Sequence, residues 1–125
     1  MTRFPIRSVS LVLLVSGLAA APLALAHPSL VSSTPAADAT VAPATEITLQ
    51  FSEKVMPRAT RIELSMDHGR MKMAMPTAAQ DISEDGHTLR ARFAKPLPAG
   101  SYALQWRAVG QDSHPITGTY RFTVK

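Results

Sequence analysis

The chain has 125 residues, 46% of them hydrophobic and 18% charged, which suits one globular domain and excludes a disordered chain. It has no cysteine, which excludes disulfides, zinc–thiolate sites and thiolate catalysis and leaves His, Met, Asp and Glu as metal-ligand types. The formal charge of +4 is mild and no basic stripe with interleaved aromatics accompanies it, so nucleic acid is not an expected partner.

Residues 1–26 read as a secretion signal. Arg3 and Arg7 supply a positive start, Val9 to Leu18 an apolar stretch, and Ala24-Leu25-Ala26 a small-residue cleavage site. The apolar run is short and Pro22 follows it, so a cleaved signal is expected rather than a membrane anchor. Cleavage after Ala26 leaves residues 27–125 as the single mature domain. Losing Arg3 and Arg7 from the 13 basic residues leaves eleven against nine acidic ones, a net +2.

Beyond the signal, short alternating segments recur. Ile47, Leu49 and Phe51 share one face of Glu46 to Ser52, and Ile62, Leu64 and Met66 share one face of Arg61 to Met66. Leu89, Ala91 and Phe93 do the same in Thr88 to Phe93. Tyr102, Leu104, Trp106 and Ala108 line up in Ser101 to Ala108, and Tyr120, Phe122 and Val124 in Thr119 to Lys125. A period of two with one apolar face predicts half-buried antiparallel strands. Pro35 to Pro43 reads as a polar connection, Glu84-Asp85-Gly86-His87 as a hairpin turn with His87 solvated, and Pro96 to Gly100 as a tight loop. No helical period is evident. The predicted fold is all-β, a seven-stranded Greek-key β-sandwich.

Cleavage after Ala26 would make His27 the first residue, with a free α-amine and an imidazole on one residue. Both can lose a proton to a metal near neutral pH. Pro28 has no N–H, so a chelate cannot extend along the backbone and further ligands must come from elsewhere in the fold. Asp112-Ser113-His114-Pro115, just before the last strand, is the evident source. If this stretch is extended, Asp112 and His114 at i and i+2 point to the same side. Amine, two imidazoles and a carboxylate form an N3O set, which suits tetragonal Cu(II) and would hold Zn(II) less tightly. Taken singly, a histidine at a cleavage site and an Asp-Ser-His-Pro turn are more often structural.

The stretch Met66 to Pro76 is locally biased, with Met66, His68, Met71, Met73 and Met75 among Asp67, Gly69, Arg70 and Lys72. Thioether sulfur is soft and favours Cu(I). Met71, Met73 and Met75 would share one face of an extended strand. Core filling is the better reading for Met66 and a moderate one for Met56; for the other three, core filling and Cu(I) binding stand level. Glu53 reads as a solvated charge and Trp106 as core. No phosphate loop, nucleophile triad or pair of catalytic carboxylates is present.

Together these residues resemble the CopC family of bacterial copper-resistance proteins. The likeness rests on His27, on Leu30 to Asp38 (LVSSTPAAD), on Ile47 to Val55 (ITLQFSEKV) and on Asp112 to Phe122 (DSHPITGTYRF). The resemblance implies a periplasmic β-sandwich related to cupredoxin and immunoglobulin-like domains. It implies Cu(II) ligands at His27, Asp112 and His114, and in some members a Met-rich Cu(I) site, here falling on Met66, His68, Met71, Met73 and Met75. It also implies a non-enzymatic carrier that passes copper to resistance or uptake partners, such as an inner-membrane copper transporter or another periplasmic copper-resistance protein. Two positions depart from the family's commonest pattern: Pro28 stands where Ala is common, and Ser113 where Gly is common. A positive φ at 113 would strain a serine. The rival readings are a histidine-brace copper oxygenase, which would share His27, and a metal-free β-sandwich interaction module.

Overall fold

The computed structural model describes residues 27–125; the segment 1–26, read above as a signal, lies outside the described residues. Nine strands form: β1 (Leu30–Thr34), β2 (Thr40–Val41), β3 (Glu46–Phe51), β4 (Arg61–His68), β5 (Met71–Met75), β6 (Ala79–Ile82), β7 (Thr88–Arg92), β8 (Gly100–Val109) and β9 (Pro115–Val124). They build a four-stranded sheet in the order β1-β3-β7-β6 and a five-stranded sheet in the order β2-β9-β8-β4-β5. Three hairpins, β4–β5, β6–β7 and β8–β9, stay within a sheet, and every other connection passes between the sheets. This is the β-sandwich expected from the alternation. The strand count rises from about seven to nine because the Pro35 to Pro43 connection carries the two-residue β2, parallel to β9, and β5 and β6 are short edge strands.

The alternating faces become the core. Ile47, Leu49 and Phe51 of β3, Ile62 and Leu64 of β4, and Leu89 and Ala91 of β7 are buried. So are Tyr102, Leu104, Trp106 and Ala108 of β8, and Phe122 and Val124 of β9. Each large side chain so buried contributes about 1.5–3 kcal/mol. Trp106 meets Phe51 edge-on, with centroids 5.4 Å apart. Tyr102 stacks on Phe122 at 5.2 Å, and its hydroxyl donates to the Pro98 carbonyl at 2.5 Å, tying down the predicted Pro96 to Gly100 loop.

Other expectations shift. The Glu84 to His87 turn closes the β6–β7 hairpin, with Gly86 at φ 80 and the Asp85 carboxylate accepting from the His87 N–H at 3.0 Å. His87 is not the solvated residue expected: it is half-buried, and its Nδ1 lies 3.1 Å from the Phe51 carbonyl. Met56 is 42% exposed, so it does not fill the core. Glu53 is exposed, as read. Gln80 of β6 acts as a latch between the sheets. Its Oε1 accepts from the Ile62 N–H at 2.9 Å, and its Nε2 donates to the Ile62 carbonyl at 3.1 Å, completing the β4 edge where β5 does not reach.

Candidate metal centre

His27 precedes β1, while Asp112 and His114 lie 85 and 87 residues later in the β8–β9 loop. The fold brings them together. Each offers one ligand-type atom, and these atoms lie within 4.8 Å of one another. Asp112 Oδ2 stands 2.7 Å from His27 Nδ1 and 3.4 Å from His114 Nδ1. The two imidazoles are 5.8 Å apart between centroids and inclined by 55°. Two ligands bound cis at about 2.0 Å from one ion sit about 2.8 Å apart, and trans ligands about 4 Å apart. The two contacts of the Asp112 carboxylate are close to that range, and the 4.8 Å bound on the trio is somewhat wider than it, so the three residues are grouped near, though not at, the spacing one ion would impose.

The loop reaches this arrangement differently from the extended path considered above. Gly110 bridges to Val55, and Gln111 and Asp112 form a turn. The turn closes with the Ser113 N–H donating to the Gly110 carbonyl at 3.1 Å. Ser113 takes φ 64, the left-handed region that strains a serine. The turn, rather than strand alternation, puts Asp112 and His114 on one side. Asp112 Oδ1 then accepts from the His114 N–H at 3.2 Å. That hydrogen bond is the main cause that holds the carboxyl below its ordinary value of 3.8; burial pushes the other way, and the two neighbouring imidazoles add to the lowering. The Asp112 side chain is 12% exposed, against 54% for His27 and 72% for His114. The carboxylate forms the floor and the imidazoles the solvent-side walls.

The methionine segment is a hairpin at the edge of the five-stranded sheet. Met66 pairs with Met73, His68 with Met71, and Leu64 with Met75. Directly opposed residues share a face, so Met66, His68, Met71, Met73 and Met75 all project to one side, the side on which Leu64 enters the core. Met66 and Met75 pack partly against that core. Met71 and Met73 do not: they are 73% and 52% exposed. On the opposite face Asp67 pairs with Arg121 of β9. The hairpin turn lies at the Gly100 end of β8 and the Asp112 loop at its Val109 end. Ten residues of strand put the two clusters about 30 Å apart.

Sequence reasoning missed the packing of Pro28. It is among the largest fully buried side chains, although His27 and Ser29 on either side are exposed. The missing N–H was legible, but the seat for the ring was not.

Comparisons with known proteins accord with this architecture. Residues 30–125 match the family model of the CopC domain. The chain is 40% identical to "Copper resistance protein C" of Xanthomonas campestris pv. juglandis, over 98% of this chain and 99% of that one. It is 44% identical to "Copper resistance protein C" of Escherichia coli, over 82% and 84% respectively. Among solved structures it superposes on PcoC, described as a methionine-rich copper resistance protein from Escherichia coli, with a TM-score of 0.74 and 40% identity. That match covers 80% of this chain and 100% of the other. The chain belongs to the CopC family.

Proposed function

We propose that this chain is a periplasmic copper-binding protein, exported and cleaved after Ala26, that carries or buffers copper in copper resistance and homeostasis. The observation that carries the reading is the convergence of His27 with Asp112 and His114, 85 and 87 residues later, all three of metal-ligand type. With His27 first in the chain, its α-amine and imidazole chelate Cu(II), and Asp112 and His114 complete an N3O set. Such a set suits a tetragonal ion, and copper exceeds zinc in intrinsic affinity for it. The names of the relatives, copper resistance proteins, support copper as the cargo.

A second, softer site on the β4–β5 hairpin would take Cu(I). The exposure of Met71 and Met73 opposite His68 and Met66 supports it, since thioethers held in solvent are not filling a core. With the two sites about 30 Å apart, one ion cannot be shared, and oxidation state would decide which end of the sandwich holds it. A copper transporter in the inner membrane, or another periplasmic copper-resistance protein, would receive or supply the ion.

Intact-mass measurement of the exported protein with and without Cu(II) tests the first site. The expected product begins at His27 and gains one copper, and His114→Ala weakens that binding at least tenfold. A product beginning elsewhere, or binding unaffected by His114→Ala, overturns the reading. Titration with Cu(I) tests the second: joint replacement of Met71, Met73 and Met75 should abolish tight binding, and an unchanged affinity refutes it. Ascorbate oxidation no faster than with free copper is expected of a carrier; sustained turnover would favour a copper oxygenase instead.

A further inference from the structure

The packing of Pro28 points to a positioning device beneath the candidate metal centre. The ring is fully buried, yet it directly follows exposed His27. Its seat is the α-carbon of Gly110. A Cβ at 110 would come within 2.8 Å of Pro28 Cδ, 3.4 Å of Pro28 Cγ and 3.3 Å of Asp112 Oδ1. Contacts that close to a ring and to a carboxylate held at both oxygens leave no room for a side chain. Gly110 is therefore glycine because the proline ring and the Asp112 carboxylate share the space above it.

The floor of this seat is rigid. Gly110 bridges to Val55, the Val109 carbonyl accepts from the Met56 N–H at 2.7 Å, and the Gly110 carbonyl accepts from the Ser113 N–H. The chain beyond the ring is also held: the Ser29 N–H donates to Ser52 Oγ at 2.9 Å, and the Ser29 carbonyl accepts from the Ser52 N–H at 2.9 Å. Pro28 is thus clamped to the base of the turn that carries Asp112 and His114. The ring fixes its own φ, which removes one of the few torsions left between the clamp and His27.

We propose that Pro28, seated on Gly110, is a positioning residue that holds His27 against Asp112 before any ion arrives. The packing stands by itself; its consequence for copper rests on the function proposed above. Preorganisation of this kind lowers the ordering cost of binding without adding a ligand.

The test uses the mature protein and the variants Pro28→Ala and Gly110→Ala, with Cu(II) as the probe. Pro28→Ala empties the seat; Gly110→Ala expels the ring while keeping proline and adding no N–H. Both should weaken Cu(II) binding by roughly tenfold, about the effect of releasing one residue's backbone. A merely structural role would not alter coupling between ligands, so each is combined with His114→Ala. In the wild-type background His114→Ala is costly; in either seat variant it should cost several-fold less, because His27 no longer meets the loop. The ion-free protein gives a separate readout. Nuclear Overhauser contacts between the His27 ring and Asp112 or His114 should be present in the wild type and lost in Pro28→Ala. Should Gly110→Ala fail to fold, Pro28→Ala decides alone. A folded Pro28→Ala that keeps those contacts, the wild-type affinity and the full cost of His114→Ala overturns the proposal. Wild-type protein that shows the contacts but binds no Cu(II) would instead defeat the proposed function and leave the positioning intact.

Discussion

Ser113→Gly should stabilise the protein. Ser113 sits at φ 64 between Asp112 and His114, where a Cβ meets the backbone, and such a residue costs about 1–2 kcal/mol relative to an ordinary conformation. Glycine removes that cost but adds freedom to the unfolded chain, which takes back about 0.4–1 kcal/mol. The net expectation is a gain of about 0.5–1 kcal/mol, or a rise in Tm of about 2–8 °C for a domain near 100 residues. Ser113 is exposed, so the change removes no packing. Its backbone hydrogen bond to Gly110 is available to glycine as well. Urea titration with an unchanged m-value is the suitable assay, since a change in m would signal an altered unfolded state. Asp38 provides an internal comparison. It also has positive φ, at 63, but aspartate tolerates that region better than serine, so Asp38→Gly should gain less. A Ser113→Gly protein no more stable than the wild type would show that the turn carries no such strain.

Three further outcomes are expected. Gln80→Ala removes both hydrogen bonds to buried Ile62 and should cost about 1–3 kcal/mol in thermal or urea melts, against near-neutral effects for exposed alanine substitutions that break no such contact. Arg61 and Arg107 stand directly opposite each other on the exposed face of β4 and β8, so Arg107→Thr should raise stability by about 0.2–0.5 kcal/mol at low salt. That gain should shrink in 1 M salt; persistence there would mean that repulsion is not its source. The Asp112 carboxyl is held below 3.8, so its charge stabilises the folded state above the ordinary carboxyl value, and that contribution is lost as pH falls through the lowered one. Melts from pH 5 down to pH 2 should therefore show Asp112→Asn losing less stability than the wild type. Parallel acid curves would refute the assignment.

The inner strands were legible because each is buried on one face and solvated on the other. Alternation in β3, β4, β7, β8 and β9 named nearly every core residue before the fold was known. The outer strands were not, for identifiable reasons. In β1 the register shifts between Leu30 and Ser32, so its side chains do not alternate as a regular strand would. In β6, Ala-Gln-Asp-Ile carries no apolar period, and its most telling residue, Gln80, uses its side chain to imitate a strand edge. The methionine pattern gave the correct face for Met71, Met73 and Met75, but burial differs along it. Met75 lies opposite Leu64 and packs partly on the core, whereas Met71 lies opposite His68, beyond the core's reach. Register, which a single sequence does not display, separates the two.

The same distinction holds at the candidate metal centre. That His27, Asp112 and His114 belong together was legible, but the reason they meet is a set of backbone facts: a glycine that admits a proline ring, a serine forced into the left-handed region, and a bridge to Val55. These make Asp112 the fixed member of the trio, with a side chain only 12% exposed and both oxygens engaged. His114 is 72% exposed and fixed mainly through its backbone. An ion taken up at such a site would meet the carboxylate floor last and the imidazoles first, and would leave by the same solvent-facing side. A centre that must hold its metal permanently encloses its ligands; one whose outer walls stand open to solvent favours exchange, which is the property a carrier or buffer requires.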